Sequence, residues 1–358
     1  MLDTMTHFTF AAWTVPIATF FIALSVLSLV LRSKLAHSVL DIPNHRSLHS
    51  SPKPRIGGLG IAASLLTATT LILWLFPEQR NFPSSWLLPI VTAYAILLFI
   101  SWRDDVKSLT AGKRLLAHLS ISATWLAFHL PTFLTSYGLG LSLSLAALAV
   151  VTLGLTWAMN LFNFMDGSDG IAGVMATVGL AAYAVASYVN NDIALAVFCL
   201  SMATACLAFL CFNWPPAKLF LGDSGSIPLG FFLAAIGILG VVKQYWSALF
   251  PLLVFTLFWV DATATLAKRA VQGKKLSESH REHWYQKAIQ SGLTHRQTLQ
   301  IHLMCNILFS CVALVPVISP RLNTAGFHFF TIALIAGVVV ALALCVQKRI
   351  GQTAEHTV

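Results

Sequence analysis

Apolar runs of about twenty residues, one after another along most of the chain, constrain it more than anything else. They fall at roughly 11–31, 57–76, 86–102, 115–131, 141–160, 170–189, 192–212, 225–242, 247–266, 299–318 and 327–346. A helix needs about 20 apolar residues to cross a bilayer. Strand-like alternation is absent, and only helices or closed barrels satisfy their backbone in lipid. The expected fold class is therefore all-α, a polytopic membrane protein of about eleven transmembrane helices. Charged residues are only 10% of the 358-residue chain, against about 25% in soluble domains. The N-terminal ten residues contain Asp3 and no Lys or Arg. A cleaved secretory signal would start positive, so the first apolar run reads as a retained helix.

Lys and Arg fix the expected orientation, because they concentrate in cytoplasmic loops. Nineteen of the 22 fall in segments 32–56, 103–114, 213–224, 267–298 and the tail after 346. Only Arg80, Lys243 and Arg321 fall on the other side. The N-terminus is thus expected outside and the C-terminus in the cytoplasm. The net charge of +9 follows from this asymmetry and requires no nucleic acid. The six cysteines all lie inside apolar runs without metal-ligand spacing and read as small buried hydrophobes. The whole chain, 1–358, reads as one membrane domain.

Acidic residues obey the positive-inside rule only weakly, yet they also crowd the cytoplasmic side. Only Asp3, Glu78 and Asp192 map outside. The sharpest cluster is Asn160-Leu161-Phe162-Asn163-Phe164-Met165-Asp166-Gly167-Ser168-Asp169-Gly170. It reads as the floor of an active site within a loop at 161–170. Asn160 and Asn163 are one turn apart; their amides suit a base edge, a sugar, a phosphate, or a neighbouring helix.

Four further loops supply walls. The first carries Asp41-Ile42-Pro43-Asn44-His45-Arg46-Ser47-Leu48-His49 and then Pro54-Arg55-Ile56-Gly57-Gly58. Arg46 and Arg55 can grip phosphate bidentately or meet lipid headgroups. Gly57-Gly58 lets backbone approach closely at the mouth of the second span. The second has Asp104-Asp105 at a helix end, suited to a hard cation shared with phosphate, to a general base, or to plain solvation. The third reads Leu221-Gly222-Asp223-Ser224-Gly225-Ser226. It has the makings of a backbone-amide cradle for phosphate with a metal-holding carboxylate beside it.

The fourth, within 267–298, has His280, Arg281 and His283. The i, i+3 spacing predicts both imidazoles on one helix face, for zinc, for a diphosphate, or on an amphipathic helix lying on anionic lipid. Asp261 reads as a helix-end hydrogen-bonding group. Together these residues suit a divalent-cation reaction between a cytosolic nucleotide diphosphate and a lipid phosphate.

Read together, these motifs resemble the polyprenyl-phosphate N-acetylhexosamine-1-phosphate transferases, glycosyltransferase family 4. They are Asp-Ile-Pro-Asn-x-Arg-Ser-x-His, Pro-Arg-x-Gly-Gly, Asp104-Asp105, Asn-x-x-Asn-x-x-Asp-Gly-x-Asp-Gly, Phe-Leu-Gly-Asp-Ser-Gly-Ser, Asp261 and the His280/His283 loop. The resemblance spans Asp41 to His295. It implies transfer of N-acetylhexosamine-1-phosphate from a UDP-N-acetyl-sugar to undecaprenyl phosphate, with release of UMP. It further implies a Mg²⁺ cofactor, with Mn²⁺ as the alternative, and a multi-pass place in a bacterial cytoplasmic membrane. Asp104 and Asp105 would meet the lipid phosphate, Asp104 also reaching the metal. Asp223 would ligate the metal. Asn163, Asp166 and Asp169 would serve the nucleotide and metal, and His280, Arg281 and His283 the donor diphosphate.

The split His pair and Lys107, two residues after Asp105, depart from the pentapeptide-translocase pattern. They favour the WecA- and WbpL-like branch that starts O-antigen and related lipopolysaccharide glycans. GlcNAc, FucNAc and QuiNAc are candidate sugars, and a homodimer is compatible with the sequence. The rival expectations are a lipid flippase or transporter, disfavoured by the scarcity of charge within the spans, and a non-catalytic scaffold.

Overall fold

The computed structural model describes residues 2–43, 48, 50–76, 83–129, 141–275 and 280–355. Arg46 and His49 lie outside the described residues. The helices are α1 (Leu2–Leu31), α2 (Lys34–Ser38), α3 (Gly57–Leu75), α4 (Leu88–Val106), α5 (Ala111–Phe128), α6 (Leu141–Met165) and α7 (Ile171–Val189). They continue as α8 (Ile193–Asn213), α9 (Asp223–Val242), α10 (Leu249–Val254), α11 (Thr256–Val271), α12 (Trp284–Gln290), α13 (His295–Ile318) and α14 (Ala325–Glu355). A two-residue antiparallel ladder pairs β1 (Leu40–Asp41) with β2 (Lys53–Pro54) and closes the first loop.

The fold is all-α and polytopic, as the sequence predicts. Among the described residues, nine helices are long and apolar enough to cross a membrane. The other two expected spans are present but differ. Helix α5 carries Lys113, Arg114 and His118 in its first two turns. The run at 247–266 is broken at Phe255 into α10 and α11. Carbonyls freed by the break are taken up locally: Thr256 Oγ1 donates to Leu253 O at 2.7 Å and Trp259 Nε1 to Leu252 O at 2.7 Å. This is how broken helices remain tolerable at membrane depth.

Helices α7, α8 and α9 form the centre, with α9 the most enclosed of the candidate spans. Small residues let them close up. Gly230 faces the α6 backbone, where a Cβ would meet Ala158 O at 3.1 Å and Met159 Cα at 3.1 Å. Polar groups tie α1 and α3 together and α1 to α8. Thr19 Oγ1 donates to Ser201 O at 2.9 Å, Thr204 Oγ1 to Pro16 O at 2.8 Å, and Ser64 Oγ to Thr19 O at 2.8 Å. Such bonds, with close packing, hold helices together in lipid. Helix α14 is peripheral and mostly uncovered. Of the six cysteines, Cys199 and Cys206 are buried, Cys305 is intermediate, and Cys211, Cys311 and Cys345 are exposed. The expectation of uniform burial is therefore corrected: an apolar helix surface meant for lipid needs no protein cover.

One end of the bundle is pinned by an ion-paired group. Lys243 Nζ and Tyr245 OH each lie 2.8 Å from Asp192 Oδ2, and Asp192 Oδ1 accepts Leu195 N–H at 3.0 Å. This joins the α7–α8 turn to the end of α9. The polar loops named above gather at the opposite end.

Candidate active site

The first loop and the Gly-Asp-Ser-Gly turn meet at that end. Gly57 N–H donates to Phe220 O at 2.9 Å, Gly58 N–H to Leu221 O at 3.3 Å, and Phe220 N–H to Pro54 O at 2.8 Å. The first loop is therefore zipped along 219–222. A Cβ on Gly58 would sit 2.6 Å from Gly225 Cα, and one on Gly225 would sit 2.9 Å from Gly58 Cα. The expected close approach at the mouth of the second span is this contact, and its partner is the Gly-Asp-Ser-Gly turn. Gly222 has φ 73°, a left-handed backbone that favours glycine.

The seam brings Arg55, Asp105 and Asp223 together. Arg55 is hydrogen-bonded to Asp41 and lies 3.8 Å from Asp105 Oδ1. Arg114 Nη1 lies 3.2 Å from Asp104 Oδ2 and 3.6 Å from Asp223 Oδ2. Asn163 stands beside the Asp223 carboxylate, and its Oδ1 accepts Ser226 Oγ–H at 2.6 Å. Asp166 joins this group from the end of α6. Its carboxyl is pushed well above the usual range by desolvation and by the nearby negative charge of Asp223, with Asp105 and Asp41 adding to the effect. Arg55 pulls the other way. Burial works against the charged form of Arg55, but the pairing with Asp41, helped by the negative charge of Asp105 and Asp223, outweighs it and raises the guanidinium pKa.

The two adjacent aspartates differ. Asp104 Oδ1 accepts Leu109 N–H at 2.6 Å while Oδ2 faces Arg114, so Asp104 braces the turn into α5. Asp105 Oδ2 accepts Ser224 N–H at 3.0 Å, and its buried Oδ1 has no hydrogen-bond partner. The first amide beyond Asp223 is thus taken by Asp105, and the Gly225 and Ser226 amides bond Gly222 O at 2.9 Å each. The expected free phosphate cradle is corrected accordingly: a helix N-terminus attracts the nearest anion, and here that anion is a protein carboxylate.

Other expectations shift as well. Helix α6 runs through Met165, so Asn160 and Asn163 are helical and the loop expected at 161–170 shrinks to 166–170. The apolar Leu161, Phe162 and Met165 are buried and carry the helix onward. Asn160 Nδ2 donates to Thr156 O at 2.7 Å and lies 3.3 Å from His118 Nδ1. Asp169 Oδ2 accepts Ala217 N–H at 2.9 Å, and its Oδ1 lies 4.0 Å from His295 Nδ1; it ties the 166–170 turn to the third loop.

His280 and His283 do not lie on a helix. Helix α12 begins at Trp284 because Asp261 accepts the Trp284 N–H with both oxygens, at 2.8 and 3.0 Å. This carboxylate fixes the start of α12, the helix-end role read for it in the sequence. The two imidazoles still meet, with ring centroids 4.9 Å apart. Burial, then the charges of His283 and Arg269, lowers the His280 pKa to about 4, so His280 is neutral at pH 7. His283 stacks near Phe164, centroids 6.3 Å apart, and Tyr285 OH donates to Phe164 O at 3.0 Å. Gly167 makes room, since a Cβ there would lie 2.2 Å from Tyr285 OH. These contacts set the His280–Arg281–His283 segment beside the turn that bears Asp166.

Sequence reasoning passed over Arg114, Asp41 and Ser226 as site residues. Arg114 had a signal, a guanidinium ten residues beyond Asp104 in the same polar loop; Ser226 had none apart from its glycine neighbours.

Among the described residues, no three His, Cys, Asp or Glu side chains are already gathered at metal-holding spacing. The donors nevertheless fit a hard divalent cation. Asp105, Asp166 and Asp223 repel one another, and Asp105 Oδ1 is buried without a hydrogen bond. A cation would relieve both conditions.

Comparison with known proteins gives an independent result. The profile of glycosyl transferase family 4 matches residues 87–241. A probable undecaprenyl-phosphate N-acetylglucosaminyl 1-phosphate transferase of Bacillus subtilis (strain 168) is 26% identical over 302 residues, covering 82% of this chain and 81% of the relative. Phospho-N-acetylmuramoyl-pentapeptide-transferases of Staphylococcus aureus strains MSSA476 and MW2 are each 28% identical over 274 residues, covering 73% of this chain and 84% of theirs.

Proposed function

We propose that this chain, as a member of glycosyl transferase family 4, transfers N-acetylhexosamine-1-phosphate from a UDP-sugar to undecaprenyl phosphate. The observation that carries this reading is the convergence of Asp105, Asp166 and Asp223 with Arg55 and Arg114 at one end of the bundle. Such a group suits two phosphates brought together against their own charge. The reading places the site on the cytoplasmic side of a bacterial membrane, where nineteen of the 22 Lys and Arg are expected. Its first product would enter O-antigen or a related envelope glycan.

The acceptor's tail has a place in this reading. An apolar groove of about 430 Å³ runs between α6, α9 and the α10–α11 break, lined by Trp157, Leu161, Phe162, Leu233, Phe255 and Trp259. Trp157 and Leu161 lie on the same helix as Asn163. A polyprenyl chain in that groove would bring its phosphate toward the carboxylates.

In the proposed reaction an oxygen of the lipid phosphate attacks the sugar-bearing phosphorus of the donor in one in-line step. The new P–O bond forms as the bond to the bridging oxygen breaks, and UMP leaves with that oxygen. Asp105, through its unbonded Oδ1, would take up the acceptor phosphate's proton. A phosphoryl-aspartate formed first is the alternative path. Arg55 would hold phosphate oxygens, Arg46 adding a second guanidinium from the first loop. Asn160, Asn163 and Asp169 would order the nucleotide side, and His280, Arg281 and His283 would hold the donor diphosphate, His280 as a neutral hydrogen-bonding group. Asp223 and Asp166 would hold Mg²⁺; Asp104, which the resemblance also offers to the metal, is occupied by Leu109 N–H and Arg114. When bound, the cation supplies charge neutralisation at the phosphates.

The test is a panel of UDP-HexNAc donors with undecaprenyl phosphate and Mg²⁺, reading UMP release from purified protein. At least one donor is expected to give UMP in an acceptor-dependent manner. Mg²⁺-independent lipid movement without UMP would instead favour a transporter.

A second expected outcome concerns the cation alone. The folded state keeps the Asp166 proton to higher pH than the unfolded chain. Its contribution to stability is therefore full at low pH and is lost as pH rises through the folded value. Cation binding requires the ionised form. Added Mg²⁺ is expected to raise the Tm more at pH 8 than at pH 5.5, measured by thermal melts with and without chelator. An equal gain at both would remove Asp166 from the cation site.

A further inference from the structure

A second cleft lies outside this constellation, between α11, α12 and α14. It encloses about 480 Å³ and combines an apolar wall, including Val260, Val339, Leu342 and Val346, with Lys268 and Lys287. The acids on its rim are committed elsewhere. Asp261 accepts Trp284 N–H and Thr265 Oγ1–H. Glu282 is paired with Arg269 and with Lys274, the latter at 3.1 Å.

Lys268 and Lys287 have no ion pair among the described residues. Desolvation, with the like charge of Lys268 next, lowers the Lys287 pKa. The two ammoniums therefore stand near one another beside apolar surface; Glu282 and Asp261 offset part of the Lys287 charge from a distance, but each is already bonded to another group. The cleft opens alongside α14, whose outer surface is largely uncovered. Trp284, half-buried at its floor, donates Nε1–H to Leu342 O at 3.0 Å, in the manner of an aromatic residue at a membrane boundary.

We propose that this cleft is a binding site for an anionic glycerophospholipid, its phosphodiester held between Lys268 and Lys287 and its acyl chain laid against Val339, Leu342 and Val346. A soluble anion would leave the apolar wall unused, and a neutral lipid would leave both ammoniums unpaired. The site sits on the joint that keeps α14 attached, since Val346 packs with Ala288 and Leu293 in a small separate core. Helix α12 in turn reaches the Asp166 turn through Tyr285. A bound lipid would therefore fasten the last helix to the element that flanks the main site. The inference needs only the membrane-embedded fold and is independent of the transferase reading.

Native mass spectrometry of the full chain in detergent, titrated with dioleoyl-phosphatidylglycerol or dioleoyl-phosphatidylcholine, tests it. The wild type is expected to retain phosphatidylglycerol preferentially. Lys268→Gln/Lys287→Gln should weaken that retention by roughly tenfold or more, as expected from two lost cation contacts. Lys268→Arg/Lys287→Arg should keep it. Ala343→Trp, which fills the cleft without changing charge, should also lose it and guards against misfolding of the glutamine variant. Arg32→Gln/Lys34→Gln, a change of basic surface elsewhere, should have no effect.

Equal retention of the two lipids by the wild type overturns the proposal, as does an undiminished preference in the glutamine variant. So does an equal loss in the Arg32/Lys34 control, which would mark general surface charge. If the glutamine variant loses undecaprenyl phosphate while keeping phosphatidylglycerol, the cleft is an acceptor-lipid site and the proposal also fails.

Discussion

Asp105→Asn is expected to lower UMP release by about a thousandfold, within the range of roughly 10² to 10⁴ for loss of a general acid–base group. The fold should survive, because an asparagine Oδ1 can still accept the Ser224 N–H that Asp105 Oδ2 accepts now at 3.0 Å. What disappears is the ionisable oxygen that is buried and makes no hydrogen bond. Asp104→Asn makes the informative contrast. Asp104 is occupied by Leu109 N–H and Arg114, so its loss should appear first in the melting temperature and less in turnover. Steady-state UMP release and thermal melts on the two variants separate the roles. If Asp105→Asn keeps more than a tenth of the wild-type rate, Asp105 is not the proton acceptor.

Gly58→Ala should be nearly as damaging, for a reason that involves no chemistry of its own. The added Cβ would meet Gly225 Cα at 2.6 Å, Gly225 N at 2.8 Å and Ser224 O at 2.8 Å. All three are backbone atoms, so no side chain can rotate aside. The seam must part by a substantial fraction of an ångström, carrying the Ser224 amide away from Asp105. Overpacking of this kind costs about 1–3 kcal/mol, and a 1 Å misplacement near reacting groups costs about a hundredfold in rate. Gly112→Ala is the matched control, since nothing lies within 4 Å of a Cβ there. Activity and melting temperature measured side by side should fall for Gly58→Ala and hold for Gly112→Ala. A Gly58→Ala protein with wild-type activity would mean that the seam does not position the carboxylates.

These two cases also show what could be read from the residues alone. Apolar length predicted the helices because lipid leaves the backbone few alternatives. Gly57-Gly58 predicted a close approach because two adjacent glycines at a helix mouth have little other use. The partner, Gly225, needed the fold, as did the distinction between Asp104 and Asp105. Their sequence neighbourhoods are one residue apart, while their hydrogen bonds run to Leu109 and Ser224. The His280/His283 spacing predicted a helix face that is not there. The start of α12 is set by Asp261, more than twenty residues upstream, together with Gln286, whose side chain accepts the His283 N–H at 3.2 Å. The break at Phe255 was hidden as well, since an apolar run reads alike whether its helix is continuous or interrupted.

The Asp192–Lys243–Tyr245 group and the carboxylate end make an unequal pair. One end of the molecule is held by matched charges, and the other gathers more carboxylates than its two arginines, Arg55 and Arg114, balance, where cation and substrate would arrive. A ligand that neutralises the second end adds its binding free energy to the stability of the whole chain. For anyone preparing this protein, the choice of extraction buffer then becomes part of the biochemistry. On the proposed reading, chelator in the solubilisation step would remove the cation that balances these carboxylates at the moment the membrane is removed. Divalent cation and nucleotide supplied from lysis onward would carry the chain through.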